Sequence, residues 1–275
     1  MSTVPGVRRY RLEEIFGTSR PIIGMVHLQP LPGSPGWGGS MRQVIDRALA
    51  DADVLRVGGM HGLMVENYAD LPFMPDRVGP ETLAAISVVS AEVVRATGLP
   101  VGVNLLRNDA LGAVAAAHAA GARFVRINVH TGVMATDQGL LTGRAHETLR
   151  LCASLGADIA IFADVWVKHA TPFPGSDLAQ AAEDTWERGR ADALILSGSG
   201  TGKPTDLARA TAVRTAAPDA PLLIGSGLTP ETASEVFRHV NGAIVGSAVQ
   251  RDGRAGSGVD SARVTRLMDA VRSVQ

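Results

Sequence analysis

Lysine is nearly missing from this chain. Of its 26 basic side chains, only Lys168 and Lys203 are lysine, and the other 24 are arginine. Arginine therefore supplies the surface positive charge. A lysine kept in that background is a candidate for chemistry a guanidinium cannot do, such as a depressed pKa or a Schiff base. Cysteine is as scarce: Cys152 is alone, which excludes a disulfide scaffold and fits a reducing compartment. Cys152 lies in the helical pattern "HETLRLCASLG" and reads as a small buried hydrophobe rather than a nucleophile. Aromatic residues make up 4% of the chain and the formal net charge is −1. These values argue against base-stacking platforms and against non-specific binding to nucleic acid, which needs a strongly basic surface. No apolar run approaches the ~18 residues of a membrane span. The polar start "MSTVPGVRRYRLEEIFGTSR" has no signal-peptide core, so no membrane insertion and a cytoplasmic location are expected.

The stretch "LILSGSGTGKPT" (194–205) looks like a nucleotide-binding loop but fails as one. A P-loop needs a Gly where Ser197 stands and a Ser or Thr where Pro204 stands. Proline has neither the hydroxyl for magnesium nor an N–H. The glycines must serve something else.

Eight short apolar runs, rich in Val, Ile and Leu, recur along the 275 residues. They are "PIIGMVHL" (21–28), "GLMVEN" (62–67), "PVGVNLL" (100–106), "RFVRINV" (123–129), "DIAIFADV" (158–165), "DALILS" (192–197), "PLLIGSG" (221–227) and "GAIVGSA" (242–248). Such nearly continuous runs suit parallel strands covered on both faces. Ala-rich amphipathic segments alternate with them. The first starts at an N-cap Ser40, the second at Pro80, and the third at Asn108 or Asp109; later helices are expected at 142–155, 176–188, 204–217, 229–239 and 258–274. Eight strand–helix units without a linker predict an α/β fold, a single-domain (β/α)8 TIM barrel over 21–275 with a short N-terminal extension, 1–20, packed under or beside it. The Pro- and Gly-rich loop 30–39 reads as a connector over the active face rather than a lid.

Barrel enzymes carry their chemistry at the C-terminal ends of the strands and in the loops that follow. Strand one ends in His27, strand two in Glu66, strand three carries Asn104, and strand four carries Arg126, Asn128 and His130. Strand five ends in Asp164, Lys168 and His169. Glu66, Asn104, Asn128, Asp164, Lys168 and His169 are the candidate catalytic residues. Asn104 and Asn128 could satisfy one another, and Asp164 could pair with Lys168 or Arg126. No cofactor is evident. A divalent metal on Glu66, Asp164 and His27 or His169 is an open alternative without diagnostic spacing. His61 belongs to the opposite end, and His118, His146 and His239 fall in helical segments and read as solvated.

The last three strand ends are built of small residues. Ser197, Gly198, Gly200, Gly202 and Lys203 follow strand six, Gly225, Ser226 and Gly227 follow strand seven, and Gly246 and Ser247 follow strand eight. Glycine lets backbone N–H groups approach an anion, and a helix N-terminus favours one. Three adjacent loops of this kind predict a cradle for the phosphate of a small phosphorylated substrate.

The runs "PIIGMVHLQPLPGSP", "GLMVENYADLPF", "VGVNLLRND", "RINVHTG", "FADVWVKHA" and "IVGSA" resemble the BtpA/SgcQ family of the ribulose-phosphate-binding barrel class, over about 20–250. The resemblance implies a TIM barrel, in agreement with the unit count. One branch of the family is named for photosystem I biogenesis, and another is associated with sugar metabolism and a nucleoside triphosphatase label that the failed P-loop does not support. Two functions follow. The first is an isomerase, epimerase or aldol-type lyase acting on a phosphorylated sugar or similar ester, with Asp164 or Glu66 as base. The second is a non-catalytic assembly or regulatory factor. A scaffold has no need of polar residues at nearly every strand end, so their density favours the enzyme. A homo-oligomer is compatible with a barrel of this size, although no exposed stripe marks its face.

Overall fold

The computed structural model describes residues 9–198 and 206–274. Eight parallel strands close into a barrel: β1 (Ile22–His27), β2 (Gly62–Glu66), β3 (Val101–Asn104), β4 (Phe124–Ile127), β7 (Ala160–Asp164), β9 (Ala193–Leu196), β10 (Leu222–Ile224) and β11 (Gly242–Val245), the last pairing back onto β1. Every residue of these strands is buried. Alternation sorts them into two sets. Ile22, Val26, Leu63, Val65, Val103, Val125, Ile161, Leu194 and Val245 pack outward with the helices. Ile23, Met25, Met64, Phe124, Phe162, Ile195, Leu223 and Ile244 fill the interior.

The N-terminal end of that interior is stoppered by α1 (Leu12–Phe16). Phe16 meets the Phe124 ring edge-on at 5.3 Å, and Phe124 stacks on Phe162 at 5.0 Å. The preceding backbone is fastened by Asp192, which accepts from the Tyr10 amide at 2.7 Å. His61 is also at this end, accepting from the Ile22 amide through Nδ1 at 3.0 Å. With the base of the interior closed by aromatic packing, the inside of the barrel opens towards the opposite mouth.

The helices begin where their caps dictate. Ser40 accepts from the Gln43 amide to open α2 (Met41–Val57), Pro80 opens α3 (Pro80–Thr97), and Asp109 accepts from the Gly112 amide to open α4 (Ala110–Ala120). Several expected boundaries move inward. The helix expected from 142 is α5 (Ala145–Leu155), because 139–142 is spent on an antiparallel hairpin, β5 (Val133–Thr136) with β6 (Gly139–Thr142), joined by β8 (Thr171–Pro172). This small sheet beside the mouth has no counterpart in the apolar pattern of the sequence. The helix expected over 176–188 is α6 (Leu178–Glu183) followed by a π-helical turn, Asp184–Arg188.

The segment expected to be helical over 204–217 gives α7 (Leu207–Ala216) within the described residues. The 229–239 helix shrinks to the single turn α8 (Ala233–Val236): Thr229 and Thr232 hydrogen-bond each other, and Thr232 donates to the Gly227 carbonyl at 3.2 Å, holding a turn instead. His239 consequently lies in a half-buried turn, while His118 and His146 are exposed on α4 and α5. The chain ends on α9 (Ser261–Arg272). Loop 30–39 is pinned: the Leu31 amide donates to Asp70 and the Thr82 hydroxyl to the Pro32 carbonyl, both at 2.7 Å. Cys152 is half-buried and burial pushes its thiol up to about 11, consistent with an inert side chain.

Candidate functional site

Strand pairing puts one polar residue beside the next. In register, His27 lies against Glu66, Glu66 against Asn104, and Asn104 against Arg126. This row caps the apolar filling of the barrel, and all four side chains are buried. Asp164 and Ser197 complete the layer at the ends of β7 and β9.

Burial forces these groups to find partners. Arg126 donates to both oxygens of Asp164, from Nε and Nη2, at 2.8 Å each. Asn128 donates to Asp164 Oδ2 at 3.2 Å, and Ser197 Oγ to Oδ1 at 3.3 Å. Asn104 donates to Asn128 Oδ1 and to the Arg126 carbonyl, both at 3.1 Å. Burial alone would lower the Arg126 pKa, but the Asp164 carboxylate outweighs it and holds the guanidinium above its ordinary value. Asp164 is thus the counter-ion of Arg126, and its lone pairs are spoken for.

Glu66 stands in a different position. Its Oε1 lies 3.7 Å from His27 Nε2. Gln250 Nε2 donates to His27 Nδ1 at 2.6 Å, which leaves the ring proton on Nε2, facing Glu66. Burial lowers the His27 pKa, with Glu66 pulling the other way. The Tyr68 ring packs on His27 at 4.5 Å. Lys168, half-buried on the loop after β7, has its pKa lowered by burial first and by Arg126 next, against the opposing pull of Glu66 and Asp164.

Two cavities meet over this layer. The outer cleft, of about 600 Å³, is lined by Tyr68, Leu71, Phe73 and Leu106 and by the polar Arg107, Asn128, Asp137 and His169. The inner annex, of about 30 Å³, is lined by Gly225, Ser226, Gly227, Gly246 and Ser247 together with Met25 and His27. Glu66, Arg126 and Lys168 line both.

The annex exists because two inward positions have no side chain. A Cβ on Gly225 would come within 2.5 Å of Ser197 Oγ, and one on Gly246 within 3.0 Å of the His27 ring.

Of the residues singled out in the sequence, Glu66, Asn128, Lys168 and exposed His169 line the outer cleft. Asn104 lies in the supporting network. Gly225, Ser226, Gly227, Gly246 and Ser247 converge on the annex as a group. The Ser197 hydroxyl turns to the Arg126–Asp164 pair, and the Gly198 amide donates to Ser226 Oγ at 2.9 Å, so these two tie the loops together. Gly200, Gly202 and Lys203 lie outside the described residues. The metal alternative does not gather its donors. Asp164 is occupied by Arg126, and among the described residues no three His, Cys, Asp or Glu side chains come together.

A model of the BtpA family matches residues 18–273. The chain belongs to the BtpA family. The photosystem I biogenesis protein BtpA of Synechocystis sp. is 45% identical, over 94% of this chain and 91% of its own length. The putative sgc region protein SgcQ of Escherichia coli is 31% identical, over 96% of this chain and 98% of its own. The solved phosphoribosyl anthranilate isomerase of Thermus thermophilus superposes with a TM-score of 0.57 at 12% identity, covering 93% of this chain and all of that one. At that identity the likeness is one of fold alone. Among the described residues no helix is long and apolar enough to cross a membrane.

Three residues of this BtpA-family site carry no clear signal in the sequence. Arg107 lines the cleft and donates from Nη2 to the Lys168 carbonyl at 2.7 Å, tethering the lysine loop. Tyr68 and Gln250 flank His27. Each lies two or more residues beyond a strand end, so the one available hint is position: "LLRND", "ENYAD" and "GSAVQ" all run into the loops over the mouth.

Proposed function

We propose that the protein is an enzyme acting on a small phosphorylated carbonyl compound of the sugar-phosphate class, as an isomerase, epimerase or aldol-type lyase. The observation that carries this reading is the meeting of the glycine-lined annex and the larger cleft at Glu66, Arg126 and Lys168. A phosphate seated on the backbone of Gly225–Gly227 and Gly246–Ser247 would anchor the substrate. Remote, non-reacting phosphate binding is a common way to position a reacting centre. The carbonyl and its neighbouring carbon would then lie over Glu66 and Lys168.

In this reading Glu66 is the base that takes the proton from the carbon next to the carbonyl, and Lys168 is the electrophilic partner of the carbonyl. Asp164, clasped by Arg126, holds the layer in place. An assembly-factor reading draws on the name of the Synechocystis relative. It predicts that the polar layer is dispensable for binding small molecules.

A thermal-shift screen separates the two. Phosphate, pentose and hexose phosphates and nucleoside monophosphates are tested with and without divalent cations. A ligand at about a hundredfold excess over its Kd adds about 2.7 kcal/mol of stability. The enzyme reading expects stabilisation by a sugar phosphate that is lost in Ser247→Asp while the ligand-free Tm is kept. No response to any phosphate ester overturns it.

A further inference from the structure

The loop that carries Lys168 is built at a conformational cost. Trp166, two residues before the lysine, has φ 57°, and His169, just after it, has φ 55°. A non-glycine residue in the left-handed region is uncommon, and for a bulky side chain such as tryptophan it is strained. Arg107 holds the Lys168 carbonyl from across the mouth. The result is a lysine held where the annex and the cleft join. Arg126 has claimed Asp164, and Lys168 forms no ion pair with any carboxylate among the described residues. Two buried guanidiniums, Arg126 and Arg107, stand near its ammonium, and both disfavour its charged form. A phosphate or carboxylate needs no such arrangement, because arginine, which this chain uses everywhere else, binds anions better.

We propose that Lys168 is an imine-forming lysine whose ε-amine condenses with the carbonyl carbon of a phosphate-anchored aldehyde or ketone. Glu66 takes a proton from the Lys168 ammonium, and the freed lone pair attacks the carbonyl carbon. The nitrogen proton passes to the former carbonyl oxygen to give the carbinolamine. Glu66 returns its proton to that hydroxyl, which leaves as water while the nitrogen lone pair closes the C=N bond. Ammonium and carbonyl have become iminium and water, and Glu66 is again a carboxylate. The iminium is the electron sink that cleavage or formation of the adjacent carbon–carbon bond requires. This inference rests on the proposed function for the phosphate anchor, and it selects the lyase-type branch.

The scarcity of lysine makes the test clean. The full-length protein is incubated with pyridoxal 5′-phosphate, a phosphorylated aldehyde, then reduced with borohydride and mapped by peptide mass. The chain offers only Lys168, Lys203 and the N-terminal amine as targets. Lys168 is expected to be labelled roughly tenfold faster than Lys203, because burial beside Arg126 and Arg107 frees more of its amine than an ordinary lysine has and the anchored phosphate holds the aldehyde beside it. Inorganic phosphate should slow that labelling, and Lys168→Met, which keeps the apolar stem and adds no charge beside Arg126 and Arg107, should abolish it without lowering Tm. Labelling of Lys168 no faster than of Lys203, or no adduct at Lys168, overturns the imine. Pyridoxal without its phosphate separates the two claims. If it labels Lys168 equally well and phosphate gives no protection, the imine stands and the phosphate annex falls. If neither aldehyde labels Lys168 while sugar phosphates still raise Tm, the annex stands and the imine falls.

Discussion

Arg126 and Asp164 form a two-pronged ion pair inside the barrel, with both contacts at 2.8 Å and both side chains shielded from solvent. In the proposed reaction this pair decides how the two carboxylates of the mouth divide their work. A carboxylate that accepts from Arg126, Asn128 and Ser197 has no lone pair to offer a substrate proton. Removing it leaves a buried guanidinium without a counter-charge, and breaking a buried pair in this way costs about 3–5 kcal/mol. Asp164→Ala is therefore expected to lose that much stability in urea unfolding, read as a fall in the midpoint. A loss below about 1 kcal/mol, the scale of an exposed ion pair, would mean that the pair does not hold the layer together.

In the proposed reaction Glu66 is the carboxylate left to act. It faces His27 on one side and shares both cavities with Lys168. Glu66→Gln keeps the shape and removes only the base. With whichever phosphate ester the thermal-shift screen identifies, kcat should drop by about 10²–10⁴, the usual worth of a positioned general base. Binding, measured by the same thermal shift, should persist. If turnover survived in Glu66→Gln, proton abstraction by Glu66 would be ruled out.

Much of this arrangement is legible in the residues alone. The eight Val-, Ile- and Leu-rich runs can bury both faces only in a parallel sheet wrapped by helices, so the barrel and its active end follow from pattern. The polar strand ends, His27, Glu66, Asn104 and Asp164, follow from the same rule. Pairing does not. Asp164 could have met Lys168 or Arg126, and only the inward position of Arg126 in register beside Asn104 decides it. The β5–β6 hairpin is hidden because "GVMATDQGLLT" is too short and too mixed to stand out between two stronger elements. Arg107, Tyr68 and Gln250 are hidden because loop geometry, not periodicity, brings them over the mouth.

Gly225 illustrates a residue whose sequence signal has two meanings. As part of the small-residue cradle it reads as room for a ligand. In the fold, an added Cβ would meet Ser197 Oγ at 2.5 Å, Ile195 Cγ2 at 2.9 Å and Arg126 Nη2 at 3.1 Å. Overpacking of this kind costs about 1–3 kcal/mol. Gly225→Ala should therefore lower Tm in the absence of any ligand, because it pushes on the groups that clasp Asp164. An unchanged Tm would show that the Arg126 layer can shift to admit a methyl group.

His130 supplies a pH signature away from the mouth. Its Nε2 lies 2.7 Å from the Gly189 carbonyl, at the exit of the π-helical turn, so the ring carries its proton there. Nδ1 is buried without a partner among the described residues, and burial pushes the pKa down from 6.5 to about 4. A folded-state pKa below the unfolded value gives stability that is fully present above pH 6.5 and is lost as the pH falls towards about 4. Over that window the unfolded chain takes up a proton at this position and the native one does not. The complete loss is about 3 kcal/mol, since each tenfold difference in proton affinity between the two states is worth about 1.4 kcal/mol. His130→Gln keeps a donor for the Gly189 carbonyl but cannot titrate. Urea unfolding at about pH 7.5 and about pH 4.5 should show the wild type losing about 2–3 kcal/mol more than the variant. Parallel losses in the two proteins would place the acid sensitivity elsewhere, with buried His27, whose pKa is also lowered, as the group to replace next.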